Sequence, residues 1–311
     1  MATSGFTTDQ YELLDFGSGR KLERFGEWIL DRESPAADTQ QRSDPALWKT
    51  ADLVFKRSAG GDQKWSTNTN PPNLSREKNE KLKSITQTGA EFPPWEISFG
   101  DHFKLRLQLS PVGHIGVFPE QAKNWAWLMR QVRRGIKAYG EPLRVLNLFG
   151  YTGGSTLAAA VAGAEVTHID SAGNIIERAR ENAKISGLQD APIRWIQEDA
   201  QLFCQREVKR GNTYHAVILD PPSYGHGPKN QVWKINQHLG ELLANCSKLT
   251  EQQRSFMLLT SHTVGLGAAD LEAMFADRIF GHCSAGGSTG EMQLMGKPPL
   301  RLRAGTYIRF P

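Results

Sequence analysis

The stretch Asn147-Leu-Phe-Gly-Tyr-Thr-Gly-Gly-Ser-Thr156 decides the fold, because a buried-strand pattern ends in it and a helical pattern begins in it. The apolar run 143–149 is suited to a buried parallel strand, and the alanine-rich segment 156–162 indicates a helix. Gly150, Gly153 and Gly154 would let backbone amides approach a ligand closely at the helix N-terminus. Their Gly-x-x-Gly-Gly spacing differs from the Gly-x-Gly-x-x-Gly of nicotinamide folds. A tight turn with no ligand would use the same glycines, so this loop alone leaves both interpretations open.

Strands and helices continue to alternate after this loop. Further strands are predicted at 165–169, 193–196, 216–219 and 256–259. Helices are predicted at 200–208 and 231–249, and another is predicted between an N-cap at Ser171 and a C-cap at Gly187. Such alternation implies right-handed crossovers and a parallel sheet with both faces covered. The last two strands, 292–294 and 303–310, have no long helix between them and are expected to pair antiparallel. The sequence therefore predicts an α/β, doubly wound, Rossmann-like sheet that is mostly parallel, with an antiparallel last strand.

The first part of the chain has a different pattern. Short alternating runs predict β-structure, including a hairpin over 95–109 that turns at Gly100 and Asp101. Residues near 58–90 are rich in Gly, Asn, Pro, Ser and Lys and predict a mobile loop. We therefore expect a smaller β-rich domain over 1–115 on the substrate side, and the α/β domain over 116–311. Trp48, Trp65 and Trp95 could offer stacking surfaces, although tryptophans more often lie in a core.

A helix is predicted between Pro119 and Gly140, with an apolar stripe on one side. Its basic residues fall on another face: Lys123, Arg130, Arg134 and Lys137. A face exposed to solvent and a contact with nucleic acid both explain these charges.

Composition narrows the class of protein. The 311 residues carry a net charge of +4, which permits a polyanionic partner without requiring one. No apolar run of membrane-spanning length and no signal-peptide pattern occur, so we expect a cytoplasmic protein that binds no membrane. Cys204, Cys246 and Cys283 lie far apart, which indicates neither a disulfide framework nor a zinc site, and we expect no bound metal.

Carboxylates follow successive strands of the predicted sheet. Asp170 ends the second strand, 20 positions after Gly150 (170 − 150), the distance at which a carboxylate can accept hydrogen bonds from ribose hydroxyls. Asp199 follows the third strand and could accept from the amine of adenine. The fourth strand leads into Asp220-Pro-Pro-Ser-Tyr224, where two prolines stiffen the backbone beside a tyrosine ring. Four such features at four strand ends predict a nucleoside cofactor.

These motifs resemble those of the class I S-adenosylmethionine-dependent methyltransferases. The resemblance is closest to the bacterial large-subunit ribosomal RNA methyltransferases acting at cytosine C5 or guanine N7. Their glycine loop similarly reads Phe-Ser/Gly-Tyr-Thr-Gly and their fourth motif Asp-Pro-Pro. The resemblance runs roughly from Gly113 to the C-terminus. It includes Gly116-Val-Phe-Pro-Glu-Gln121, which departs from the family's pattern at Val117 and Glu120. The N-terminal residues do not resemble the RNA-binding module that many members of the group carry.

The resemblance implies that S-adenosylmethionine is the cofactor and RNA, specifically ribosomal RNA, the substrate of a monomer or homodimer. It implies these cofactor-binding residues: Phe118, Gln121, Asn147, Phe149, Gly150, Tyr151, Thr152, Gly153, Asp170, Ser171, Asp199, Ala200 and Asp220. On the acceptor side it implies a catalytic segment formed by Asp220, Pro221, Pro222 and Tyr224.

The cysteine that C5 members carry after the fifth strand is missing here, because that segment reads Leu259-Thr-Ser-His262. An acceptor with its own lone pair, such as a ring nitrogen, an amine or a hydroxyl, is therefore favoured over a ring carbon. His262 could act as a base or be a structural residue at a strand end. The alternatives that remain are a methyltransferase of small molecules or proteins, an NAD-dependent oxidoreductase, and a cofactor-binding scaffold.

Overall fold

The computed structural model describes residues 5–57, 63–68, 78, 80–81, 95–229, 231–281 and 287–311. The chain divides into two compact units, Met1–Ala122 with Gln293–Arg303, and Lys123–Met292 with Ala304–Pro311. The predicted division at 115 and 116 falls slightly earlier in the chain.

The first unit is rich in β-structure. Its five-stranded sheet has the order β1-β2-β3-β4-β5. The strands are β1 (Tyr11–Gly17), β2 (Arg20–Phe25), β3 (Trp28–Glu33), β4 (Leu53–Arg57) and β5 (Gln63–Thr67). Only the β3/β4 pair is parallel. Leu13, Leu22, Leu30 and Leu53 are fully buried, because side chains alternate between the two faces of a strand. The predicted hairpin is confirmed as β6 (Glu96–Phe99) and β7 (Phe103–Arg106).

Two predictions for this unit need correction. Most of the loop predicted near 58–90 lies outside the described residues, but β5 shows that 63–67 are in a regular strand. Trp48 and Trp95 are buried, and their indole N–H groups donate to Asp15 and to the carbonyl of Phe25. Neither ring can therefore stack on a substrate. Trp65 is partly buried.

The predicted doubly wound sheet lies mainly in the second unit, although 293–295 and 301–303 of its last two strands belong to the first. Its strands are β8 (Arg144–Leu148), β9 (Glu165–Asp170), β10 (Ile193–Gln197), β11 (Ala216–Leu219), β14 (Phe256–Ser261), β15 (Ser288–Met295) and β16 (Arg301–Phe310). Their order is β10-β9-β8-β11-β14-β16-β15. The pairs from β10 to β14 are parallel, whereas β16 runs antiparallel to β14. The chain reverses its direction of winding between β8 and β11, so the crevice for a ligand is expected at the carboxyl ends of these two strands.

Helices connect these strands. They are α1 (Ala122–Tyr139), α2 (Gly154–Val161), α3 (Gly173–Ile185), α4 (Ala200–Arg210), α5 (Ile235–Thr250) and α6 (Ala268–Phe275). The predicted helix over 231–249 begins later, because β13 (Val232–Lys234) pairs with β12 (Tyr224–His226) in a small hairpin. The N-cap of α3 is Ala172, one residue after the predicted Ser171. Within the described residues, no helix is long and apolar enough to cross a membrane.

Candidate active site

The loop after β8 has a strained backbone. Phe149 and Tyr151 adopt φ angles of 57° and 49°, a left-handed conformation that non-glycine residues rarely accept. Gly153 shares this conformation with φ 92° and precedes α2. Strain of this kind persists where the surroundings hold the backbone, and it concentrates at functional sites.

Gly150 is required for a different reason, because its backbone lies on the ring of His168. A Cβ at this position would lie 2.3 Å from His168 Cε1, so no larger residue fits without displacing the ring. His168 is fully buried in β9 and contacts the Trp195 ring at 4.8 Å. Burial, with the nearby charge of Arg180, lowers the pKa of His168 to about 3. The glycine loop therefore lies on a histidine that is neutral at physiological pH.

This ring has a hydrogen-bond partner at Nδ1. Thr156 Oγ1 lies 2.8 Å from His168 Nδ1 and also accepts from Asn147 Nδ2 at 2.8 Å. The hydroxyl has one hydrogen and two lone pairs, so it can serve either tautomer of the ring at Nδ1, whereas Nε2 is buried with no hydrogen-bond partner among the described residues. Asn147, predicted as a cofactor ligand, thus has its side-chain amide engaged inside the fold.

Asp170 connects the second strand to the glycine loop. Its Oδ2 accepts from the backbone amide of Tyr151 at 2.9 Å, and its Oδ1 accepts from Ala172 at 3.0 Å. Burial raises the pKa of Asp170, although these two amides favour the charged form. Each carboxylate oxygen retains a lone pair that could accept from a ribose hydroxyl. Asp199 caps α4 by accepting from Leu202 at 2.9 Å.

A pocket of about 390 Å³, including its open mouth, lies at the carboxyl ends of β9, β10 and β11. It is lined by six of the predicted residues: Phe149, Asp170, Ser171, Asp199, Ala200 and Pro222. Glu198, Gly225, His226 and Trp233 complete much of the remaining wall. Carboxylates at one side and apolar or aromatic faces at the other suit a nucleoside, so the residues present fit the cofactor that the sequence implies.

The end of β11 brings three side chains together. Thr260 Oγ1 donates to Asp220 Oδ1 at 2.5 Å, and His262 Nε2 lies 3.6 Å from the same oxygen. His262 Nδ1 lies 2.7 Å from the carbonyl oxygen of Ala304, which can only accept, so Nδ1 carries a proton. The second ring nitrogen therefore faces the carboxylate. Asp220 and His262 are both partly exposed, so this cluster is open to a substrate.

The segment after Asp220 is fixed by a tryptophan. The indole N–H of Trp233 donates to the Pro222 carbonyl at 2.7 Å, and its ring contacts that of Phe149 at 4.9 Å. This carbonyl therefore already accepts one hydrogen bond inside the fold. Tyr224 is 55% exposed, and its ring meets His226 edge to face at 5.2 Å. An exposed ring beside the pocket could stack on a base.

The other predicted residues occupy supporting positions. The Thr152 carbonyl accepts from Asn182 Nδ2 at 2.9 Å, which ties the glycine loop to α3. Pro221 is buried between Asp220 and Pro222. Phe118 and Gln121 belong to the first unit, where Gln121 is buried. Their roles toward the cofactor stay predictions.

Comparison with known proteins agrees with this geometry. The sequence model of the S-adenosylmethionine-dependent methyltransferase family matches residues 84–252, more than half of the chain. The chain belongs to this family. S-adenosylmethionine is therefore its cofactor and methyl transfer its reaction, and an NAD-dependent oxidoreductase is set aside.

Solved methyltransferase structures share the architecture. An S-adenosylmethionine-dependent methyltransferase from Agrobacterium tumefaciens is 31% identical and superposes with a TM-score of 0.82, covering 99% of this chain and 91% of that one. A methyltransferase in complex with S-adenosylhomocysteine is 14% identical with a TM-score of 0.67, covering 96% and 75% of the two chains. At that identity the second likeness shows the fold alone.

The curated relatives have names that specify ribosomal RNA as the substrate. Ribosomal RNA large subunit methyltransferase I of Cronobacter sakazakii is 23% identical over 223 residues, 70% of this chain and 52% of its own length. Ribosomal RNA large subunit methyltransferase K/L of Shewanella frigidimarina is 34% identical over 119 residues, 37% and 16% of the two chains. The chain thus spans about half the length of methyltransferase I and a smaller share of methyltransferase K/L.

Sequence reasoning missed three side chains that shape the site: His168, Trp233 and Thr260. His168 carried a weak signal, since it is the histidine of the strand that leads to Asp170. Trp233 lay inside a predicted helix, and Thr260 gave no signal beyond its place in a buried strand.

Proposed function

We propose that this methyltransferase modifies a nitrogen, or another heteroatom, of RNA, and that the RNA is ribosomal. The observation that carries the proposal is the cluster of Asp220, Thr260 and His262 at the adjacent ends of β11 and β14. Such a cluster offers a fixed carboxylate to an N–H or O–H group. An acceptor atom with its own lone pair needs this assistance and no covalent activation.

The cysteines support a heteroatom acceptor over a pyrimidine carbon. Methylation at cytosine C5 requires a thiol that adds to the ring, and residues 259–265, at the end of β14 and directly after it, include no cysteine. Cys204 and Cys246 are fully buried in the core. Their mutual hydrogen bond and burial raise the pKa of Cys204 well above its ordinary value, so it is a poor nucleophile. Cys283 lies outside the described residues.

The RNA part of the proposal is supported by the ribosomal RNA methyltransferases among the relatives and by the exposed Tyr224 ring. An aromatic ring next to a methyl-transfer site can stack on a base that has left its helix. The chain spans only about half the length of methyltransferase I. We therefore assign ribosomal RNA methylation to this chain as a proposal.

The residues of the pocket are assigned roles on the same basis. Asp170 and Ser171 would hold the ribose of S-adenosylmethionine, Asp199 and Ala200 its adenine, and the glycine loop from Phe149 its methionine end. When bound, the cofactor supplies a methyl group already activated as a sulfonium.

On the acceptor side, Asp220 would accept a hydrogen bond from the N–H of the acceptor and orient its lone pair. After transfer, the proton released by the acceptor nitrogen would pass to an Asp220 oxygen. His262 Nε2, 3.6 Å from Oδ1, is placed to share that proton.

The test is a transfer assay with S-adenosylmethionine labelled in its methyl group. The substrates are ribosomal RNA from a strain lacking the gene, transfer RNA, total protein and a small-molecule extract. We expect label in ribosomal RNA, and a loss of ~10²- to 10⁴-fold in rate for Asp220→Asn, whose amide cannot take up the proton. Asp190→Asn, an exposed control, should act like the wild type. Label confined to protein or small molecules would contradict the RNA assignment and favour the alternative methyltransferase.

A further inference from the structure

One side of α1 carries four basic residues, Lys123, Arg130, Arg134 and Lys137, called here the basic row. Spacings of 7, 4 and 3 place the four residues within an arc of about 60° on a helix that turns ~100° per residue. All four are exposed. Lys123 and Lys137 are 14 residue steps apart, or ~21 Å at a rise of ~1.5 Å per residue.

The helix α1 itself supplies no acidic partner to the basic row. The 18 residues of α1 include no aspartate or glutamate, whereas α3 mixes both signs and pairs Glu177 with Arg180. Within the described residues, none of the four cations of the row takes part in an ion pair. A helix face that serves only to meet solvent commonly carries both signs of charge.

Helix stability does not explain the row either. Arg130 and Arg134, four residues apart, repel each other, as do Arg134 and Lys137. Lys123 lies in the first turn, where the helix dipole disfavours a cation, and only Lys137 lies where the dipole favours one. This arrangement of positive charges therefore lowers the stability of α1.

A further cation lies beside the row. The Arg309 guanidinium lies 4.2 Å from the Tyr307 ring centre and 5.5 Å from that of Trp127, and it donates to Asn124 Oδ1. Burial, with the nearby charge of Arg130, lowers the pKa of Arg309. Positive charge thus extends from α1 onto the last strand of the sheet.

The basic row begins next to the candidate active site. Trp125, in the first turn of α1, lies against Gly154, where an added Cβ would meet its ring at 2.5 Å. Gly154 opens α2 directly after the glycine loop. Near its other end, α1 packs at Gly135 closely against Leu143, which lies just before β8. The row therefore runs from the carboxyl ends of the strands, where the pocket lies, toward their amino ends.

We propose that the basic row is the surface that contacts phosphates of the RNA substrate. This inference rests on the proposed function, and it assigns RNA contact to the methyltransferase unit itself. Phosphate neutralisation requires a line of unpaired cations with room for a backbone alongside, as the row provides. An anionic membrane would instead need an apolar face to insert, and the apolar face of α1, with Trp125, Leu128 and Val132, is buried in the protein.

The test compares two variants with the same change of net charge. The row variant combines Lys123→Gln, Arg130→Gln, Arg134→Gln and Lys137→Gln. The control variant combines Lys184→Gln, Arg194→Gln, Lys209→Gln and Lys248→Gln, four exposed cations elsewhere in the second unit. Glutamine forms helices well, so both should fold, and circular dichroism and calorimetric binding of S-adenosylhomocysteine verify this.

Affinity for a ribosomal RNA fragment is measured by filter binding between 50 and 200 mM KCl. We expect the row variant to lose at least about tenfold in affinity at the lower salt, and its salt slope to fall by ~0.7 for each single-strand contact removed, up to ~2.8. The control variant should keep both the affinity and the slope of the wild type.

The possible outcomes distinguish a failure of this inference from a failure of the proposed function. A row variant that binds and methylates RNA like the wild type would overturn the basic row as the RNA surface and leave the function standing. A wild-type protein that neither binds nor methylates RNA would overturn the proposed function itself. Loss of binding to phosphatidylserine vesicles by the row variant, with unchanged RNA binding, would reassign the row to a lipid surface and refute the inference.

Discussion

Acidification should destabilise this protein through His168, the ring beneath the glycine loop. Folding lowers the pKa of His168 from its ordinary value of 6.5 to about 3, because a charged ring cannot be solvated in the core. Between these two values the unfolded chain binds a proton that the folded chain excludes. The free energy of unfolding must therefore fall as the pH falls through this window, and it is fully retained above pH 6.5.

The size of this effect follows from the two pKa values. Each pH unit inside the window costs ~1.4 kcal/mol, so acidification from pH 7 to pH 4 removes ~3 kcal/mol through this residue alone. A protonated ring would also carry a hydrogen on both nitrogens, and Nε2 has no hydrogen-bond partner among the described residues. The ring lies beneath the glycine loop, so the cofactor site should weaken together with the fold.

Urea unfolding at pH 4, 5, 6 and 7, on the wild type and on His168→Asn, measures this contribution. The asparagine side-chain amide can take the place of Nδ1 as the hydrogen-bond partner of Thr156, and it does not titrate. Subtracting the variant removes the carboxylates that titrate in the same range. We expect the difference to shrink by ~3 kcal/mol from pH 7 to pH 4. A difference that stays constant across this range would refute the argument.

Three substitutions test other contacts of the site. Gly150→Ala places a methyl group 2.3 Å from the His168 ring, so calorimetry should show a loss of ~10-fold or more in affinity for S-adenosylhomocysteine, and unchanged affinity would contradict the packing argument. Thr260→Val removes the hydroxyl that donates to Asp220, which should lower kcat by ~10-fold with cofactor affinity preserved. An unaltered kcat would show that this bond does not position the carboxylate. Trp233→Phe leaves the proline carbonyl without its donor and should cost ~1–3 kcal/mol in urea unfolding, and a cost near zero would exclude that role.

The architecture was predictable from the sequence because it depends on local patterns. Buried parallel strands read as continuous apolar runs, and the glycines and aspartates that follow them fall at strand ends in the structure. The helix ended by Gly140 was predicted for the same reason, since that glycine adopts a left-handed φ of 76°. The hairpin of β12 and β13 was not, because a three-residue strand that pairs across a short loop has no periodicity to detect.

The contacts within the site depend on residues far apart in the chain, which no local pattern encodes. Gly150 was predicted to admit a ligand, but the structure shows that the ring of His168 also forbids a side chain there. Trp48 and Trp95 were considered as platforms, yet partners elsewhere in the first unit bury them. His262 could be placed at a strand end from the sequence, but only the fold brings it to Asp220.

The identity of the methylated nucleoside tests the central claim most directly. Ribosomal RNA from a strain lacking the gene is treated with the purified protein and deuterated S-adenosylmethionine, digested to nucleosides and analysed by mass spectrometry. We predict a single deuterated nucleoside with the methyl group on nitrogen or oxygen, because Asp220 serves an acceptor with a lone pair and residues 259–265, where C5 enzymes carry their cysteine, include none. A deuterated 5-methylcytidine or 5-methyluridine would contradict the account.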